Sequence, residues 1–291
     1  IARSWHGSGV GGSGEAMISK RQWLRFWGRE LPLPKGQPRI LRSTNLPLVD
    51  PHLKLMVLWS PKSACTTVYT WFAGITGRLE DVLAHSTWPH DHRTAVYEVS
   101  PETKAAIARN LSTYRIVRVF RDPYSRFLSS FRHSLIYGLN AAGSIDWAHG
   151  RLHRVRGYSL SDFLTYMEHV GVVSCDPHFR QQWHPIEEHL DPDTVINVSR
   201  RNLFKELNRV ERRLGLKATD FSSISWLHSL EASRRPARIA STGADDQTLL
   251  TIRNAKGDDP WPDEASLLTP KARERIAQLY ARDFEAYRRW L

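Results

Sequence analysis

Three times along this chain an apolar run of strand length gives way to a polar turn and then to a stretch with helical periodicity. Lys54 to Trp59 reads KLMVLW, Tyr114 to Phe120 reads YRIVRVF, and Thr194 to Ser199 reads TVINVS. Runs without apolar–polar alternation suit strands covered on both faces, as in a parallel sheet. After the first run, Val68, Trp71, Phe72, Ile75 and Leu79 fall on one helical stripe; after the second, Tyr124, Phe127, Leu128, Phe131 and Leu135 do the same. After the third, Leu203, Leu207, Val210 and Leu214 form a stripe that Gly215 is placed to cap. The expected fold is therefore α/β: a P-loop-like parallel β-sheet flanked by helices on both faces, with a helical and loop-rich C-terminal part. A last helix is expected from Thr269 as N-cap and Pro270 at the first position, running through Ile276, Tyr280 and Tyr287. The stretches EASRRPARIASTGADDQ and AKGDDPWPDEAS read as loops, and a short helix is expected around KRQWLRFW.

The turn after the first strand, SPKSACTT, is rich in small residues and opens a helix with two threonines. Loops at the C-terminal ends of parallel strands are where α/β proteins bind ligands. Lys62 supplies a cation there. Ser63, Ala64 and Cys65 are small enough for backbone NH groups to approach an anion, and Thr66 and Thr67 add hydroxyls where the helix dipole favours negative charge. The bland reading is a capped helix beside a surface lysine. No glycine lies between Ser60 and Ala73, so this is not a Walker A loop. The second turn shifts the balance. Arg121 ends its strand, and Ser129 lies eight residues on, off the apolar stripe; together they can grip a second phosphate. The alternative is that Arg121 pairs with Asp122 and Ser129 merely packs. Two phosphate seats on neighbouring strands describe a nucleotide with phosphates at both ends.

At this point the sequence resembles a family. PKSACTTV is similar to the 5′-phosphosulfate loop of sulfotransferases, and RIVRVFRDPYSRFLSSFRHS to their 3′-phosphate strand-turn-helix. The form of both is closest to membrane-anchored carbohydrate sulfotransferases and their bacterial relatives. CDPHFRQQ, from Cys175 to Gln182, resembles an acidic-x-His-aromatic-x-x-Gln stretch of that family, and weaker likeness continues to Tyr287. The resemblance implies 3′-phosphoadenosine 5′-phosphosulfate (PAPS) as donor substrate, with no metal. It implies Lys62, Ser63, Ala64, Cys65, Thr66, Thr67, Arg121 and Ser129 as the donor-binding set, and a saccharide or glycolipid as acceptor. Many relatives carry glycine where Ala64 stands, a mild change if that residue keeps a negative φ. Arg118, inside an apolar strand, needs a carboxylate partner or an exposed face.

Sulfuryl transfer passes a planar group in line between two oxygens, so the enzyme's work is positioning and charge neutralisation. Lys62 is placed to meet the charge that grows on the leaving group. The acceptor hydroxyl also needs a base, usually His or Glu. His85, His90, His92 and Glu98 fall between the two phosphate motifs, the interval where the resemblance implies it. His92, with Asp91 beside it, is the base expected from sequence and Glu98 the runner-up; a solvated loop histidine is the bland reading of each. His178 is a candidate for organising the acceptor side. Cys175, His178, His184 and His189 match no standard zinc spacing, so no metal is expected. Trp88, Trp147 and Trp183 are candidates for stacking on sugars, with core packing as the plainer role.

Hydrophobic residues make up 41% of the 291 and charged ones 24%, which permits a real core and excludes global disorder. The formal charge of +11 favours anionic partners. It comes from scattered arginines rather than a basic tail, which speaks against nucleic acid. No run approaches the ~18 apolar residues of a membrane span, and two cysteines make no disulfide framework. A cytoplasmic location, or one peripheral to a membrane, is expected. The expected organisation is a flexible leader and N-terminal arm over 1–48 and a sulfotransferase domain over 49–291. Two rival functions stand beside it: a P-loop-type nucleotide kinase or hydrolase, which lacks its Walker lysine here, and a non-catalytic binder of acidic glycan or nucleic acid, suggested by charge alone.

Overall fold

The computed structural model describes residues 46–108, 113–139, 156–173, 175–184, 187, 191–224, 239–240 and 243–291. The leader and the helix expected at KRQWLRFW lie outside them. The described chain runs through β1 (Leu48–Asp50), β2 (Leu55–Leu58), α1 (Cys65–Ile75), α2 (Leu79–His85), α3 (Pro89–His92), a π-turn at Arg93–Tyr97 and α4 (Pro101–Ala108). Then come β3 (Arg115–Phe120), α5 (Pro123–Tyr137), α6 (Leu160–Val170), β4 (Thr194–Asn197) and α7 (Leu203–Arg213). The C-terminal part holds β5 (Ile239–Ala240), α8 (Ile252–Lys256), β6 (Trp261–Pro262), α9 (Glu264–Leu267), α10 (Pro270–Leu279) and α11 (Ala281–Tyr287).

The main sheet has the order β1-β2-β3-β4. β2, β3 and β4 are parallel, with Met56 opposite Ile116 and Arg118 opposite Val195. β1 is antiparallel to β2, so the sheet is mixed where the apolar runs predict parallel strands throughout. Three residues are too few to announce a strand. Two side chains secure it: Asp50 Oδ1 accepts from the His52 and Leu53 amides to close the turn, and the Tyr97 hydroxyl bonds both polar groups of the Val49 backbone. β5 and β6 form a small parallel pair inside what reads as loop.

One sheet face packs Leu55, Val57, Val117, Val119 and Ile196 against Val68, Trp71 and Phe72 of α1 and Leu207 and Val210 of α7. The other face of β3 meets the C-terminal segment, with Phe120 stacked on Tyr287 at 4.4 Å. Covering both faces makes burial, at roughly 1.5–3 kcal/mol per large apolar side chain, the main force holding these strands. On the stripe of α5, Phe127, Leu128, Phe131 and Leu135 join α6 and α10 in a separate core.

Two boundaries differ from the periodicity. α1 stops at Ile75, and Leu79 opens α2 instead of extending the stripe. Gly77, at φ 70°, lets its own amide reach Gly74 O and the Arg78 amide reach Ala73 O. This paired closure satisfies the last carbonyls and ends the helix. Gly215, at φ 74°, closes α7 the same way, as expected from its position. The C-terminal helix starts at Thr269 and Pro270 as predicted but breaks at Tyr280, whose hydroxyl reaches Phe179 O.

Candidate active site

Residues Ser60 to Ala64 carry the chain from the end of β2 into α1. The Ser63 amide bonds Ser60 O, a tight turn that needs unusual backbone. Lys62 sits at φ 67° and Ala64 at φ 59°, both in the left-handed region. Ala64 therefore does not keep the negative φ that would make its replacement of glycine mild; a Cβ in that region costs about 1–2 kcal/mol. Strain of this kind persists where the surroundings over-determine it, and it concentrates at ligand clamps. Ala64 is the N-cap of α1, whose first turn has no side-chain cap. First-turn amides lack intrahelical acceptors, so this end is suited to an anion.

At the end of β3, Arg121 NH1 donates to Lys62 O at 3.3 Å, placing the two strand-end turns against each other. Its Nε is buried with no hydrogen-bond partner, and burial lowers the guanidinium's pKa. Asp122 is occupied as N-cap of α5, accepting from the Ser125 amide at 3.0 Å. An unmatched buried donor of this kind fits a phosphate oxygen. Ser129 is half-buried on α5, one turn before His133, whose Nδ1 lies 3.4 Å from Lys62 Nζ. The face of α5 that carries Ser129 thus borders the first loop.

Gln182 joins the two turns. Its Oε1 accepts from Ser63 Oγ at 2.8 Å and from the Arg121 amide at 2.9 Å, and its Nε2 donates to Arg121 O at 2.8 Å. Asp283 of α11 in turn accepts from the Gln182 and Trp183 amides. The Ser63 hydroxyl and amide therefore both serve the scaffold, so Ser63, expected from sequence to offer its NH to an anion, instead shapes the loop. Beneath the turns, Arg126 Nε holds Pro61 O at 3.0 Å. Arg118, 1% exposed, has the carboxylate partner its position demands: Glu187 at 3.3 Å, with Tyr287 Oη and Ser60 Oγ as further acceptors. Burial alone would lower its pKa; Glu187 and Tyr287 reverse that and hold it cationic.

The histidines between the two motifs divide. His90 lies against the loop, with Nε2 at 3.2 Å from Thr66 Oγ1 and 3.4 Å from Cys65 Sγ. Its Nδ1 accepts from Arg93 Nε at 3.0 Å, and Arg93 is ion-paired with Glu98. His92 is 7% exposed and packs on Tyr69 and His85, with Nδ1 at 2.8 Å from Tyr69 Oη. Burial, with His85 beside it, lowers its pKa. Burial raises the Glu98 carboxyl, opposed by Arg93.

A second group faces Lys62 from the other side of the sequence. His133 stacks on His178 at 4.0 Å, and His178 Nδ1 lies 2.9 Å from Asp176 Oδ1. Sequence reasoning did not single out His133. Its place four residues after Ser129 was the available signal. Among the described residues no three His, Cys, Asp or Glu side chains gather as a metal site. Cys175 is buried with its thiol pushed up to about 11 by burial, and His189 and Trp147 lie outside the described residues. Trp183 is buried under Arg282, whereas Trp88 is exposed beside His90.

The family model described as "Sulfotransferase family" matches residues 47–288. The chain belongs to the sulfotransferase family. That assigns sulfuryl transfer in general, with a sulfate donor and an acceptor. Neither a curated protein nor a solved structure matches the chain. No helix among the described residues of this sulfotransferase is long and apolar enough to cross a membrane.

Proposed function

We propose that this sulfotransferase moves the sulfuryl group of PAPS to a hydroxyl of a carbohydrate. The observation that carries the donor assignment is the pair of adjoining anion seats, one of which leaves Arg121 Nε buried without a partner. Lys62, the Ala64 and Cys65 backbone, and the Thr66 and Thr67 end of α1 receive the 5′ phosphosulfate, with Ser63 holding the loop to Ser60 and Gln182. Arg121 and Ser129 receive the 3′-phosphate. Lys62 then neutralises charge on the departing phosphate oxygen, while amides fixed by backbone strain need no reorganisation as that charge develops. Glu98, through Arg93 and His90, supports Thr66 from behind.

Two features support a saccharide acceptor. Trp88 and Tyr137 are exposed aromatics, each packed on a histidine that borders the site, at 5.4 Å from His90 and 4.6 Å from His133. Rings so placed can stack on sugar faces. The net charge of +11 favours an acidic chain. Two free cysteines fit a reducing, cytoplasmic setting.

The deciding experiment is transfer of labelled sulfate from PAPS to a panel of acidic and neutral glycans, glycolipids and phenols. Adenosine 3′,5′-bisphosphate (PAP) should raise the melting temperature, while ATP with Mg²⁺ should not. Stabilisation by ATP with Mg²⁺ alone would favour a kinase or hydrolase, and stabilisation by neither a non-catalytic binder.

A further inference from the structure

Four histidines pack around the first helix and its loop, and their hydrogen bonds sort them by tautomer. Arg93 donates to His90 Nδ1, and Lys62 donates to His133 Nδ1. His92, 7% exposed, has its Nδ1 2.8 Å from Tyr69 Oη, and its ring is buried against Tyr69 and His85. In neutral His90 and His133 the proton must then sit on Nε2, so neither has a basic lone pair left to offer, and His92 is set apart by its burial. His178 is the reverse. Its Nδ1 faces the Asp176 carboxylate at 2.9 Å and must donate, which leaves the Nε2 lone pair available. No described residue bonds that nitrogen, and the side chain is 40% exposed.

The Asp176–His178 pair is fixed and separated from Lys62 by one ring, that of His133. Asp176 Oδ1 also accepts the His178 amide at 2.8 Å, and Ser130 Oγ of α5 holds His178 O at 2.7 Å. The ring stacks on His133, whose Nδ1 touches the Lys62 ammonium. Burial would raise the Asp176 carboxyl, but its bonds from His178 pull it below the usual range, so it is an anion at neutral pH. His133, held neutral, adds no positive charge beside His178.

From this geometry we infer that His178 is the general base of the reaction, with Asp176 its positioning residue. The assignment rests on the sulfuryl-transfer reading above. In the step, His178 Nε2 takes the proton of the acceptor hydroxyl as that oxygen forms its bond to sulfur. The bond from sulfur to the bridging phosphate oxygen breaks, and its electron pair leaves with PAP beside Lys62. His92 and Glu98, the bases expected from sequence, are the rival assignments.

The test compares acceptors that need a base with one that does not. His178→Asn should lower transfer to a saccharide hydroxyl by about 10²–10⁴-fold. PAP affinity, and transfer to nitrophenol already ionised in mildly alkaline buffer, should be unchanged. Asp176→Asn keeps the turn but removes the anion that favours imidazolium. Its kcat for the saccharide should therefore fall, while KM, PAP affinity and transfer to ionised nitrophenol hold. If His178→Asn retains saccharide transfer, or loses both acceptors equally, His178 is not the base. Loss on His92→Asn or Glu98→Gln, with His178→Asn active, would give that role to the rival. Wild-type protein that neither binds PAP nor transfers sulfate to any acceptor would overturn the donor reading, and this assignment with it.

Discussion

Arg121 is held in the free protein with a buried donor that an anion would satisfy. Its Nε is buried without a partner, and its guanidinium is desolvated. If it grips the 3′-phosphate, Arg121→Ala should weaken PAP by roughly 10- to 100-fold, the scale of one or two charge-assisted hydrogen bonds. Adenosine 5′-phosphate, which lacks the group, should be affected far less. Calorimetric titration of both ligands decides the matter, since equal losses would place the effect in folding. Ala64 poses a related question in backbone terms. At φ 59° it bears strain of about 1–2 kcal/mol. Glycine would remove it and return about 0.5–1 kcal/mol through the flexibility of the unfolded chain. Ala64→Gly should therefore raise the urea midpoint slightly. A lower midpoint would mean that the methyl group makes contacts worth more than the strain.

At the scale of elements, Gln182 sets the spacing of the two phosphate turns. One side chain holds Ser63 of the first turn and both backbone groups of Arg121 in the second. Gln182→Leu fills similar volume but leaves those buried groups unpaired, at roughly 1–3 kcal/mol for each one. Urea unfolding should register that loss. PAP, which spans both turns, should lose more affinity than adenosine 5′-phosphate; a variant with unchanged PAP affinity would show the spacing to be fixed elsewhere. This clamp marks the limit of what the sequence discloses. The three parallel strands β2, β3 and β4 and the Lys62 loop were legible because their signals are local: an apolar run, small residues, then an apolar stripe. Leu79 misled because periodicity is blind to Gly77, where backbone geometry rather than hydrophobicity ends the helix. The Gln182 clamp and the His133–His178 stack bring together residues far apart in the chain, so no window of sequence holds either. Ala64 was read as tolerable because an alanine gives no sign of its φ.

For the molecule as a whole, the buried histidines set an acid limit. His133 is held down to about 2 by burial and by the charge of Lys62; His184 is held down to about 3 by burial, with Arg118 and Arg180 adding to it. In the unfolded chain both titrate near ~6.5. Below that pH the unfolded state binds protons that the folded state refuses, so the stability these groups leave intact at neutral pH is lost as pH falls. Asp176, lowered in the fold, adds loss of the same sign further down. Glu98, Glu187 and Asp283, raised chiefly by burial, oppose it because the folded state takes up their protons first. A bare pH profile mixes these signs, and a difference profile separates them. Urea unfolding of wild type and His133→Asn between about pH 7 and pH 5 spans the range where unfolded histidine titrates. The variant should lose less stability across that window, because one refused proton is gone. An unaltered slope would mean that His133 accepts its proton in the folded protein. An imidazolium there would repel Lys62, and the neutral ring taken to accept from its ammonium would have to be given up.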